Sequence, residues 1–159
     1  MIAARLPSKD WPSRPLLITA VNAHTGAFRV FDAGSGVSLL DAVGASCAVP
    51  GVWAPVTIGV ERWIDGGMRS PVNADLAAGC SRVVAIAPIS LGLGPMTPLE
   101  TQVRALRAAG SKVAVVIPDA QARRRMGRNT LDPSRRVASA EEGRRQAKEA
   151  LAEVAAVWK

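Results

Sequence analysis

The chain has 159 residues, 48% of them hydrophobic, and a formal charge of +7. This length suits one domain with a buried core, and the hydrophobic share excludes a disordered chain. No run approaches the roughly 18 apolar residues of a membrane span, and Cys47 and Cys80 form no C-x-x-C pair, which argues against a metal or redox centre.

In chain order, Pro15–Val21 (PLLITAV) is a short apolar run and reads as a buried strand. Asn22–Gly26 is a turn signal, and Ala27–Phe31 alternates as a partnering strand. Ser38–Ala48 reads as a helix, with Ser38 as N-cap and Leu39, Leu40 and Val43 as its apolar stripe. Val56–Ile58 and Arg62–Ile64 are short strands around Gly59, and Asp65-Gly66-Gly67 follows the second. Val72–Ala78 reads as a helix stopped by Gly79.

Arg82–Ala87 and Lys112–Ile117 are apolar strands separated by the amphipathic helix Leu99–Ala109, which Gly110 ends. Strand, helix and strand in this order predict a parallel pair with a crossover helix. Pro88–Pro98 is a Gly/Pro-rich loop, and Pro118–Pro133 reads as irregular with one helical turn. Ala140–Val157 reads as a long charged helix, with Leu151, Val154 and Trp158 on the face expected to pack inward.

The charge is uneven: from Glu100 onward 13 Lys/Arg face 7 Asp/Glu, whereas before it 7 face 6. The strongest cluster is Arg123-Arg124-Arg125, with Arg128 close by. A solvated surface is the expectation there, with an anionic headgroup or phosphate as the functional alternative. Cys47 and Cys80 lie among apolar or small residues and are expected to be buried free thiols. Met1–Trp11 carries Arg5, Lys9 and Asp10 without a long apolar core, so no signal peptide and a cytoplasmic location are expected.

Asp65-Gly66-Gly67 concentrates the chemistry. An acid at a strand end followed by two glycines marks a sharp turn, because glycine accepts positive φ and leaves room for close approach. The carboxylate is then displayed where ligands bind in open α/β sheets. Taken alone, the tripeptide is also an ordinary turn.

Its surroundings add weight. Ala45–Val56 (ASCAVPGVWAPV) comes first, then Trp63-Ile64-Asp65-Gly66-Gly67, then Asn73-Ala74-Asp75 and an apolar strand. This succession resembles the patatin-like phospholipase family, as does the opening Pro15–Asp32 segment with its T-A-V-N-x-x-T-G turn. The resemblance runs from about Arg14 to Pro118 and extends more weakly to about Arg145. It implies a single partial domain over 1–159, best matched over 14–118, with a C-terminal helix at 140–158. The implied fold is α/β: part of a three-layer α/β/α sandwich with a mostly parallel sheet, corresponding to the family's C-terminal half with the N-terminal half absent.

The resemblance also implies acyl hydrolysis of lipid esters by a Ser-Asp dyad without histidine. A serine on a G-x-S-x-G elbow attacks the carbonyl, and a glycine-rich loop donates to the oxyanion. Carried onto this sequence, Asp65 is the general base, and Gly66 and Gly67 shape its turn. The mechanism requires no cofactor and no metal. The implied partner is a lipid or small ester, with peripheral contact at an anionic membrane as a further expectation and nucleic acid disfavoured.

The chain departs from that pattern, since it contains neither G-x-S-x-G nor an upstream glycine-rich loop. Both precede Arg14 in the family order, so the chain is expected to be a fragment without its nucleophile, inactive alone and prone to self-association through uncovered strand edges. Ser46 in Gly44–Ala48 and Ser35 in Gly34–Gly36 are weak substitutes, because neither follows an apolar strand and opens a helix. His24, the single histidine, lies in a turn and reads as solvated. Trp53 could line an acyl pocket, but core packing is the expectation. Two rival readings stay open: an inactive module binding a lipid or protein partner, and a basic nucleic-acid-binding module.

Overall fold

A computed structural model describes residues 2, 4, 6–90, 94 and 96–159. Arg5 of the N-terminal reading, and residues 91–93 and 95 of the Pro88–Pro98 loop, lie outside them. The chain divides into two compact units, Met1–Asn73 with Gly92–Thr97, and Ala74–Leu91 with Pro98–Lys159.

The first unit is a four-stranded antiparallel sheet carrying one helix. Its elements are β1 (Ile18–Asn22), β2 (Phe28–Phe31), α1 (Leu39–Ser46), β3 (Val56–Ile58) and β4 (Glu61–Asp65), with strand order β2-β1-β4-β3. The expected hairpin forms, and Asn22 shapes its turn: Asn22 Oδ1 accepts from the backbone N–H of His24 at 2.9 Å and of Thr25 at 3.0 Å. β1 starts at Ile18 rather than Pro15 because Ile18↔Phe31 is the last rung β2 offers, and Leu16 and Leu17 are left exposed. Ser38 caps α1 as predicted, its Oγ accepting from the Asp41 N–H at 3.0 Å.

Ile18, Ala20, Phe31 and Trp63 from the sheet meet Leu39, Ala42 and Ala45 from α1 in the core. Phe31 and Trp63 pack edge to face with centroids 5.4 Å apart, the geometry their ring quadrupoles favour. The alanines on α1 let the helix lie close to the sheet, so the large rings fill the space between them.

The second unit contains the predicted parallel pair: β5 (Arg82–Ile86), α2 (Leu99–Ala108) and β6 (Lys112–Val116), in register from Arg82↔Lys112 to Ile86↔Val116. Gly110, at φ +92°, turns the chain out of α2. α3 (Ala120–Met126) follows where an irregular stretch with one helical turn was expected, capped by Asp119, whose carboxylate accepts from the Ala122 N–H at 2.7 Å. α4 spans Arg136–Trp158.

Several expectations are corrected. Parallel pairing among the described residues is confined to β5 and β6, so the sheet is not mostly parallel; β4 and its Asp65 belong to the antiparallel sheet. The helix expected over Val72–Ala78 is only a 3₁₀ turn, Ala74–Ala77, because Asn73 adopts φ +49° and cannot continue a right-handed helix. On α4 the predicted stripe packs only in part: Val154 is half-buried, but Leu151 and Trp158 are 65% and 62% exposed. Its buried residue is Glu142, which accepts from Arg145 and from Gln121 Nε2. Arg145 also pairs with Asp119 and Glu149, so ion pairs rather than the aliphatic stripe join α3 to α4. Among the described residues no helix is long and apolar enough to cross a membrane.

Candidate functional site

Asp65 ends β4. Its backbone stands opposite Ala20 in the β1 register, and its N–H donates to the Ala48 carbonyl at 3.1 Å. That bond ties the segment after α1 to the end of β4, so the Ala45–Val56 segment and the D-G-G tripeptide meet at one place.

The chain then closes a 3₁₀ turn over Gly66–Met68, where the Asp65 side chain caps the turn by accepting from the Gly67 N–H at 2.6 Å. The glycines are required for space alone. Neither Gly66 nor Gly67 has positive φ, correcting that part of the sequence argument. A Cβ on Gly66 would stand 2.1 Å from Thr19 Oγ1 and 2.5 Å from the Thr19 carbonyl oxygen. A Cβ on Gly67 would stand 2.9 Å from the Asp65 carboxylate itself.

Asp65 is half-buried. Burial pushes its carboxyl pKa up, and the Gly67 N–H offsets part of that rise by favouring the charged form. The neighbouring Cys47 thiol is also pushed up, first by burial and then by the negative charge of Asp65. Both cysteines are exposed as residues, against the expectation of buried thiols.

The raised Asp65 pKa has a stability consequence. Protonated Asp65 suits the fold better than ionised Asp65, so this contribution is present below the unfolded carboxylate pKa of about 3.9 and is lost as pH rises through the folded value. Ionised Asp65 therefore costs stability at neutral pH. Asp65→Asn removes the charge and keeps an oxygen for the Gly67 N–H, so its melting temperature should exceed the parent's at pH 7. The advantage should shrink toward about pH 3, where the aspartate is neutral in both states. Melting curves at both pH values check this; a less stable variant at pH 7 contradicts it.

The remaining candidates do not assemble around Asp65. Ser46 is the last residue of α1, at the opposite helix end from an elbow serine. Ser35 is half-buried in a turn, bonded to Asp32 at 2.8 Å through both its donor and its acceptor. His24 is exposed in the β1–β2 turn. Trp53 is 50% exposed, so it is not the core residue expected; Trp63 fills that role. Arg123, Arg124 and Arg125 are exposed on α3, with Arg123 also donating to the Pro118 carbonyl at 2.7 Å. No group of three or more His, Cys, Asp or Glu among the described residues is placed to hold a metal.

Thr19, Ser70 and Asn73 surround the turn; of these only Asn73 stands out in the sequence, within Asn73-Ala74-Asp75, and there without a role at Asp65. Ser70 is fully buried, and its Oγ accepts from the Asn73 N–H at 3.1 Å. The Asn73 side chain reaches the Gly66 carbonyl at 3.2 Å. The available signal was an asparagine seven residues after Gly66, which carries weight only once its left-handed backbone is known.

The patatin-like phospholipase family model matches residues 5–78. The match begins earlier than the resemblance drawn from motifs and stops before β5, so it does not extend to Pro118. It contains the Ala45–Val56 segment, the D-G-G turn and Asn73. No curated protein matches the chain. Over the segment that carries Asp65 and its turn, which is less than half of the chain, the sequence is similar to the patatin-like phospholipase family.

Proposed function

We propose that Asp65 is the general base of a Ser-Asp dyad in a lipid acyl hydrolase, and that the nucleophilic serine lies outside these 159 residues. The observation that carries this reading is the carboxylate at the end of β4. It is half-buried, raised in pKa and fixed by the Gly67 N–H, on the segment matched to the family. A base works best when its pKa lies nearer the operating pH, and partial burial moves Asp65 in that direction.

In this reading Asp65 takes the serine proton as the serine oxygen bonds to the ester carbonyl carbon. The bond to the alkoxide breaks, and Asp65 returns the proton to the leaving oxygen. Water then repeats the sequence on the acyl-serine, releasing the fatty acid and restoring both residues. The chain would be the later part of a three-layer α/β/α domain whose earlier part supplies the elbow and the oxyanion donors.

The purified chain should therefore not hydrolyse a chromogenic short-chain ester, and a serine-directed fluorophosphonate should leave its mass unchanged. Without a nucleophile the base activates only water, and loss of even one oxyanion donor costs about 3 to 4 kcal/mol of transition-state stabilisation. Saturable turnover with labelling of one serine overturns the missing-nucleophile reading, and mapping the label to Ser46 or Ser35 would identify the residue misjudged.

A further inference from the structure

We propose that Asn73 is a positioning residue for Asp65, acting through the single peptide group between Gly66 and Gly67. This inference rests on Asp65 being the base. Asn73 is the one non-glycine residue at positive φ among the described residues, at +49°, and is 8% exposed. A left-handed asparagine is tolerated but disfavoured, and such residues persist where surrounding contacts hold them. Here the contacts are plain. Its N–H donates to Ser70 Oγ at 3.1 Å, and its Oδ1 accepts from Arg69 at 2.9 Å. Its Nδ2 donates to the carbonyls of Gly66 and Ser70 at 3.2 and 3.0 Å, with Thr19 Oγ1 at 3.4 Å.

The Gly66 carbonyl and the Gly67 N–H belong to one trans peptide, so they point in opposite directions from one rigid plane. Asn73 holds the carbonyl end; Asp65 accepts from the N–H end at 2.6 Å. Fixing the carbonyl fixes where the N–H points, and polarising the carbonyl strengthens the N–H as a donor. The carbonyl also accepts from the Arg69 N–H at 3.2 Å, within the 3₁₀ turn, so the turn can survive loss of Asn73 while the tilt of the plane is freed. The absence of a side chain at Gly66 lets that plane lie directly against Thr19 of β1.

The test is Asn73→Gly, which keeps the left-handed backbone accessible and deletes the side-chain contacts. NMR titration of the Asp65 carboxyl carbon and exchange of the Gly67 amide proton are read in the full chain. The Asp65 pKa should rise, because the N–H that lowers it is no longer held. Gly67 exchange should quicken about tenfold, the scale of one lost hydrogen bond. Ser70→Ala serves as the comparison: it removes an acceptor of the Asn73 and Val72 N–H groups and keeps the Asn73 side chain on the Gly66 carbonyl, so it should lower stability with less movement of the Asp65 pKa than Asn73→Gly.

If Asn73→Gly does not fold, the parent chain still decides. The Asn73 side-chain amide and the Gly67 amide should exchange with the same opening free energy, as one unit. Independent exchange, or an unmoved Asp65 pKa in a folded Asn73→Gly, overturns the proposal. None of these readouts uses turnover, so the positioning role and the base role can fail separately.

Discussion

Gly66→Ala is expected to cost about 3 kcal/mol, the upper range for overpacking a tight site, and to lower the melting temperature by roughly 6–12 °C. The new methyl would fall 2.5 and 2.6 Å from the carbonyl oxygen and carbon of Thr19. Those are backbone atoms of β1, which is held on both sides by β2 and β4 and cannot step aside alone. No rotamer relieves the overlap, because alanine has none to choose. Gly67→Ala is a different case: its methyl meets the Asp65 side chain, which can swing away. That variant should fold and lose the carboxylate's alignment. Parallel melts of the two variants check the contrast, and a Gly66→Ala protein melting within about 2 °C of the parent would refute the close-approach account.

Much of the local structure was legible because it follows from short-range chemistry. The Ser38 cap, the β1–β2 hairpin and the parallel pair β5–β6 around α2 each come from a cap, a turn or a periodic run. Asp65 at a strand end was legible for the same reason. The failures are tertiary. The antiparallel setting of β4 depends on which strands pair, and no residue in Arg62–Ile64 encodes that choice. On α4, apolar spacing pointed to Leu151 and Trp158, but both are exposed, and α3 is joined to the helix through Glu142 and Arg145. Asn73 blocked the start of the helix expected over Val72–Ala78, because its amide is committed to Gly66 and Ser70 and its backbone is left-handed. The exposure of Trp53 and burial of Trp63 likewise follow from α1 covering one face of the sheet.

Asp65→Asn carries the second large effect. Placed in a protein that joins this chain to a polypeptide with the G-x-S-x-G elbow and the glycine-rich loop, the substitution keeps the shape of the side chain. It also keeps an acceptor for the Gly67 N–H, so the turn is preserved. What it removes is the ability to accept the serine proton. General-base loss lowers turnover by about 10²-fold or more, and because the proton moves in the transition state the fall should appear in kcat rather than KM. Stability should move the other way, since the half-buried charge is gone. A substitution that abolishes activity while raising the melting temperature separates a catalytic role from a structural one.

The direct measurement is kcat for a soluble chromogenic ester, taken at pH 7 for the joined protein with and without Asp65→Asn, beside the melting temperature of each. The account predicts a fall of at least about 10²-fold in a variant at least as thermally stable as the parent. Turnover close to the parent's, from a folded variant, would contradict the assignment of Asp65 as the base.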